Sequence, residues 1–187
     1  MKGIIIENIS NLYQVKSFEN DNIYESIARG KFKKEEITPV VGDRVEISII
    51  DEKDKKAVIE KIEERKVYIK RPKLANMTQI VFVVSSKDPK PDLLMLDKQL
   101  AFAEYLGIKA IIVLNKTDLD KKQEFKEIKK VYQNIGYNVI QTNAKEKIGI
   151  DKLKELLKGN INGFSGNSGV GKSLSLIHIS EPTRPIS

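Results

Sequence analysis

Apolar and polar residues alternate through the first third of the chain, and then the rhythm changes. Residues 3–9, 12–17, 22–28, 43–50 and 57–62 are short runs rich in β-branched and aromatic side chains, and each reads as a strand. Polar turns such as Glu19-Asn20-Asp21-Asn22 and Asp51-Glu52-Lys53-Asp54 separate them. Five strands at this spacing predict an all-β barrel of the OB type over residues 1–72, although an SH3-like barrel has the same periodicity. Pro39-Val40-Val41-Gly42-Asp43 reads as the turn into the fourth strand, and Arg71-Pro72-Lys73 as a joint between domains.

Beyond the joint, longer helical periods alternate with short apolar runs. Strands are expected over 79–84, 109–114, 137–141 and 160–165. The first helix, over 92–106, carries Leu93, Leu94, Leu96, Leu100, Ala101 and Ala103 at roughly helical spacing. The second, over 120–135, is expected to turn Phe125, Ile128 and Val131 inward. The third covers 150–157 and stops at Gly159. This alternation predicts an α/β domain over 73–173, with helices on both faces of a parallel sheet. The apolar runs 80–84 and 110–114 are too short to cross a bilayer and read as buried strands.

Composition removes several chemistries. The 187 residues contain no cysteine, and their single histidine, His178, falls in a C-terminal segment read below as non-native, so disulfide frames, thiolate metal sites and Ser-His-Asp catalysis are not expected. No stretch at the N-terminus has the length of a signal core, so a soluble, cytoplasmic protein is expected. The 33 basic and 26 acidic residues leave a net charge of +7, which suits a nucleotide or nucleic-acid partner and equally an ordinary lysine-rich surface. Lys31-Phe32-Lys33-Lys34 and Lys53, Lys55 and Lys56 fall in expected barrel turns, where an OB surface meets nucleic acid or lysines are simply solvated. Lys121, Lys122, Lys126, Lys129 and Lys130, interleaved with Glu124 and Glu127, read as a solvent face.

Three motifs carry chemistry, and the order of two of them is unusual. Gly166-Asn167-Ser168-Gly169-Val170-Gly171-Lys172-Ser173 fits the P-loop pattern and stands between an expected strand and a helix start. Glycines free the backbone N–H groups to surround a polyphosphate, Lys172 would reach the β and γ phosphates, and the Ser173 hydroxyl would bind Mg²⁺. Upstream, Asn115-Lys116-Thr117-Asp118 fits N-K-x-D at the end of a strand. Asp118 can accept from guanine N1–H and its 2-amino group, whereas adenine would present it a lone pair. Asn115 can bond the base edge and brace the P-loop, the Lys116 stem can lie over the purine, and Thr117 is a spacer. Gln141-Thr142-Asn143-Ala144-Lys145 occupies the place of the S-A-K loop, with Asn143 where serine is usual and the Ala144 N–H expected at guanine O6. The P-loop follows N-K-x-D instead of preceding it, which points to a circularly permuted GTPase. Two other readings stand beside it: a nucleotide-independent OB-type RNA-binding module, and a generic P-loop ATPase.

The chain up to Ser173 resembles the ribosome small-subunit-dependent GTPase A family (RsgA, also called YjeQ or YloQ). The resemblance rests on Ala28-Arg29-Gly30-Lys31-Phe32, Pro39-Val40-Val41-Gly42-Asp43, Arg71-Pro72-Lys73-Leu74-Ala75-Asn76, Leu96-Asp97-Lys98 and the inverted motif order. It implies an OB domain contacting ribosomal RNA, a permuted GTPase domain using GTP or GDP with Mg²⁺, and action in late small-subunit maturation, with hydrolysis stimulated by that subunit. A monomer without membrane attachment is expected. Family members continue with switch regions and a C-terminal zinc domain, none of which follows Ser173 here. No catalytic residue is therefore assigned, the sheet is expected to be incomplete with an open edge, and this chain is expected to hydrolyse GTP negligibly. Residues 174–187 begin LSLIHISEPTR, which resembles a translated transposon-end adapter from sequencing libraries, and are expected to be a non-native tail.

Overall fold

The structure, a computed structural model, describes residues 1–34, 37–70, 73–173 and 175. Apart from Ser175, the expected tail with His178 lies outside the described residues, as does the Arg71-Pro72 pair of the expected joint. Contacts divide the chain between Met77 and Thr78 into two compact units.

The first unit is a closed barrel. Its strands are β1 (Lys2–Ile9), β2 (Leu12–Ser17), β3 (Ile23–Ala28), β4 (Arg44–Asp51) and β5 (Lys56–Ile62), in the order β1-β2-β3-β5-β4. The β1–β4 pairing closes the ring, and β3 runs parallel to β5. This five-stranded order is the OB arrangement, which sequence periodicity did not separate from an SH3-like one. Ser10 and Asn11, both at positive φ, make the two-residue turn between β1 and β2. Irregularities at Ile5/Glu7, Glu46/Ile47 and Ile49/Asp51 bend the strands toward closure. Alternate side chains, among them Ile5, Tyr13, Val15, Tyr24, Val45, Ile47 and Ile59, fill the interior.

Two features of this unit correct the sequence reading. Lys31–Lys34 is not an open turn but a short helix, α1, because Phe32 enters the barrel core and pulls the backbone in with it. The segment after β5 forms a small hairpin, β6 (Tyr68–Lys70) and β7 (Lys73–Ala75), so Lys73 lies in a strand and not in a linker. The hairpin docks on the Pro39–Asp43 turn: the Ala75 N–H donates to the Val41 carbonyl at 2.9 Å. The fully buried Asp43 carboxylate accepts from Arg65 Nε at 2.7 Å, Arg65 Nη2 at 2.8 Å and the Val40 N–H at 2.8 Å. A buried carboxylate needs such partners.

The second unit is a parallel sheet. Its strands β8 (Gln79–Ser85), β9 (Lys109–Asn115), β10 (Asn138–Gln141) and β11 (Asn162–Ser165) stand in the order β10-β9-β8-β11. Helices α2 (Leu93–Tyr105), α3 (Glu124–Asn134) and α4 (Ile150–Leu157) connect them. On one face Val81, Val83, Ile111, Val113 and Ile140 pack against Ile150, Leu153 and Leu157 of α4. The alternate residues Ile80, Phe82, Ile112 and Leu114 are also buried, which explains the unbroken apolar runs of β8 and β9.

Helix faces differ from the expected ones. In α2, Leu96, Leu100 and Ala103 point inward, whereas Leu93, Leu94 and Ala101 are exposed. A helix has one inward stripe, and these three lie off it. In α3, Val131 is exposed and Tyr132 takes its place, because Tyr132 follows Phe125 by two full turns. The helix begins at Glu124 rather than 120, since the Asp120 carboxylate accepts from the Glu124 and Phe125 N–H groups and so remains outside the first turn.

Candidate functional site

Parallel strands end at the same edge, so the loops after β8, β9, β10 and β11 open on one side of the sheet. The motifs singled out in the sequence occupy three of these four loops.

Asn115, the last residue of β9, joins them. Its side chain is buried. Oδ1 accepts from Thr142 Oγ1 at 2.9 Å and from the Ala144 N–H at 3.1 Å. Nδ2 donates to the Val170 carbonyl at 2.9 Å. One amide thus ties the end of β9 to the loop after β10 and to the glycine-rich loop after β11. The bracing role expected of Asn115 is visible here. The Ala144 N–H, expected to face a base, is turned to Asn115.

The rest of N-K-x-D forms a tight turn. Lys116 is left-handed, with φ of 61°, and leads into a 3₁₀ turn over Thr117–Leu119. The Thr117 N–H donates to the Thr142 carbonyl at 3.3 Å. Lys116 Nζ donates to the Asp88 carbonyl at 2.5 Å. The Asp118 carboxylate is exposed and has no hydrogen-bond partner among the described residues. In the next loop Asn143 is buried, its backbone pairs both ways with Ile148, and its Oδ1 accepts from the Glu146 N–H at 3.3 Å. Ala144 belongs to the apolar core, and Lys145 is exposed.

The glycine-rich loop is shaped by close approaches. A Cβ on Gly166 would meet the Val83 carbonyl oxygen, and one on Gly171 would meet Asn115 Nδ2; both glycines also have positive φ. Val170 is anchored in the core. Asn167, Ser168, Gly169 and Ser173 are exposed. Among the described residues, no backbone N–H from Asn167 through Ser173 donates a hydrogen bond within the protein. Lys172 Nζ lies over the same loop, donating to the Gly166 carbonyl at 2.7 Å and the Asn167 carbonyl at 2.9 Å. A row of free N–H groups beside an ammonium suits a polyanion. An exposed carboxylate three residues beyond Asn115 suits a ligand edge carrying two donors.

Ser86 and Asp88 take part in this network without having been singled out in the sequence, and Thr142, quoted there with its loop, had been given no role. The position of Thr142, directly before Asn143 at the end of β10, is the signal that could have assigned it. Ser86 and Asp88 stand close only because β8 pairs with β9 in the register Ser85↔Asn115, which no local pattern reveals. Among the described residues, no group of three or more His, Cys, Asp or Glu could hold a metal ion.

Comparison with known proteins fits this geometry. The family described as RsgA GTPase matches residues 62–184, and the RsgA N-terminal domain matches residues 2–59. A small ribosomal subunit biogenesis GTPase RsgA of Clostridium botulinum (strain Hall) is 45% identical over 176 residues, covering 94% of this chain and 60% of that protein. The protein of the same description from Ruminiclostridium cellulolyticum is 44% identical over 179 residues, covering 96% and 58%. The chain thus spans about 60% of the length of these relatives. Among solved structures, YjeQ from Thermotoga maritima superposes with a TM-score of 0.83 at 34% identity, covering 98% of this chain and 66% of that one. YloQ, described as a circularly permuted GTPase, gives 0.79 at 33%, covering 98% and 65%.

Proposed function

The chain belongs to the RsgA GTPase family, and from that premise we propose that it binds GDP or GTP with Mg²⁺ as the nucleotide-holding part of a small-subunit biogenesis GTPase. The Asn115 side chain carries the reading: its bonds to Thr142, Ala144 and Val170 draw N-K-x-D, the Asn143-Ala144-Lys145 loop and the P-loop to one end of the sheet. Asp118 reads the guanine N1–H and 2-amino group, with Asn115 behind it and Lys116 along the purine face. Thr117, Asn143, Ala144 and Lys145 shape the base side of the pocket. The N–H groups of Gly166, Asn167, Ser168, Gly169, Val170, Gly171, Lys172 and Ser173 surround the phosphates.

The residues present fit such a ligand. The loop from Asn167 to Ser173 offers N–H donors that have no partner among the described residues, and side chains are excluded at Gly166 and Gly171. Mg²⁺ binds through few protein ligands plus phosphate oxygens, so the exposed Ser173 hydroxyl is a sufficient protein contact. When bound, the ion offsets phosphate charge. Lys172 exchanges its two carbonyl partners for phosphate oxygens. No residue of this chain is assigned to activate water, and hydrolysis by the 187-residue chain alone is proposed to be negligible.

The barrel over 1–72 is proposed to contact ribosomal RNA of the small subunit, in the cytoplasm and as a monomer. None of the described helices is long and apolar enough to cross a membrane.

Competition against fluorescent GDP in Mg²⁺ tests the reading. ADP is expected to bind more than about a hundredfold more weakly than GDP, and Asp118→Ala to abolish that gap. Preference for ADP would favour the ATPase reading, and rRNA binding without nucleotide binding would favour the RNA-binding module.

A further inference from the structure

The loop between β8 and α2, residues 86–92, belongs to none of the three motifs, yet it touches two of them. Ser86 Oγ donates to the Lys116 carbonyl at 2.6 Å, and the Ser86 N–H donates to the Asn115 carbonyl at 3.2 Å. Lys116 Nζ returns a bond to the Asp88 carbonyl. Ser85 Oγ closes the loop on itself, donating to the Pro89 carbonyl at 2.6 Å. The far side of the loop faces the P-loop tip: a Cβ on Gly169 would lie 3.8 Å from Pro89 Cδ and 4.0 Å from the Asp88 carbonyl oxygen.

These contacts converge on a backbone that needs support. Lys116 is left-handed, at φ 61° and ψ 45°, a region that non-glycine residues enter at a cost. Its carbonyl accepts from the Leu119 N–H at 3.0 Å, a bond within the turn, and from Ser86, a bond from outside it. Asp118 follows two residues later, so the torsions at Lys116 and Thr117 set the direction of its carboxylate. Of the two bonds on the Lys116 carbonyl, only the one from Ser86 references the turn to the sheet.

We propose that Ser86 is the positioning residue for guanine discrimination: its hydroxyl holds the Lys116 carbonyl, and through that turn it aims Asp118 at the base edge. The proposal rests on the guanine-nucleotide reading above. Ser86 touches no base atom; it acts through Lys116 and Asp118. Its loss therefore weakens the contact made by Asp118 more than the contacts made by the P-loop.

The test is equilibrium competition of GDP, IDP and ADP against fluorescent GDP, using the full 187-residue chain in Mg²⁺. IDP keeps N1–H and lacks the 2-amino group, so the GDP-to-IDP affinity ratio reports on the aim of the Asp118 carboxylate. Ser86→Ala is expected to lower GDP affinity about tenfold, the usual worth of a hydrogen bond to an organised polar group, and to shrink the ratio toward one. Ser86→Thr, which keeps the hydroxyl, restores both. In an Asp118→Ala background Ser86→Ala leaves the ratio unchanged, because the two residues act in series. An unaltered ratio in Ser86→Ala, or equal weakening of all three nucleotides, overturns the proposal and leaves the guanine reading standing. A wild-type chain that does not distinguish GDP from ADP overturns both, and this shows before any Ser86 variant is made. Should Ser86→Ala not fold, Ser86→Cys, of similar size and with a weaker donor, takes its place; a wild-type ratio there overturns the proposal equally.

Discussion

Asn115 does more for this site than its neighbours, and it does so as a structural residue. Its amide satisfies the Thr142 hydroxyl, the Ala144 N–H and the Val170 carbonyl in a region closed to water. Removing the amide strands three polar groups whose desolvation is no longer offset. Asn115→Ala is therefore expected to destabilise the parallel-sheet unit by about 3 kcal/mol, and to abolish GDP binding even at urea concentrations where the sheet remains folded. Urea titration followed by circular dichroism, with GDP competition alongside, checks both. Gly171 shows the same constraint from the other side: its α-hydrogen occupies the space a methyl would take from Asn115 Nδ2. The P-loop glycine and the upstream asparagine, 56 positions apart in sequence, are packed against each other.

Among the secondary elements, α3 shows how tertiary contacts select a face. Periodicity allows either Val131 or Tyr132 to continue the stripe begun by Phe125. The structure buries Tyr132, whose hydroxyl donates to Asp97 of α2 at 2.6 Å. Burial first, and then the bond to Asp97, raise the Tyr132 phenol well above its ordinary value of 10. Tyr137 is raised too, by burial and then by Glu104. Above pH 10 the unfolded phenols ionise while the folded ones keep their protons, so the folded state binds more protons and stability falls as pH rises. Below pH 10 the contribution is fully present. The urea midpoint of the sheet unit is expected to decline between pH 10 and 11.5, and Tyr132→Phe to flatten that decline while lowering the midpoint at pH 8. An equal decline in wild type and variant would contradict this account.

The molecule as a whole carries two cores. The barrel closes around Ile5, Tyr13, Val15, Tyr24 and Ile59, and the sheet unit is filled by Val81, Val83, Ile111, Val113 and Leu153. The candidate site draws its residues from the second unit alone. GDP binding is accordingly expected to slow amide exchange in residues 86–92, 115–119, 142–145 and 166–173, and to leave residues 2–62 unchanged. Hydrogen exchange read by mass spectrometry checks this, and protection confined to the barrel would contradict it. Among the described residues β10 and β11 each have a single strand neighbour, so both edges of the sheet are open.

Much of this fold and site is legible in the sequence, because it is local. Period-2 alternation marks β1 to β5, and apolar runs mark β8 and β9. The P-loop and N-K-x-D show in composition and spacing, since glycine, lysine and aspartate at those intervals serve one chemistry. What needed the folded chain is non-local. An OB ring differs from other small barrels in which strands pair, and β3 meets β5 across the sequence of β4. The stripe on α3 depends on Asp97, the hairpin β6–β7 on Asp43, Arg65 and the turn at Val41. The Asn115 bridge to Val170, and the bond from Ser86 to Lys116, arise from strand register. Periodicity encodes which side of an element is apolar; the partner that side or loop finds is encoded by no segment alone, because it follows from how all of them pack together.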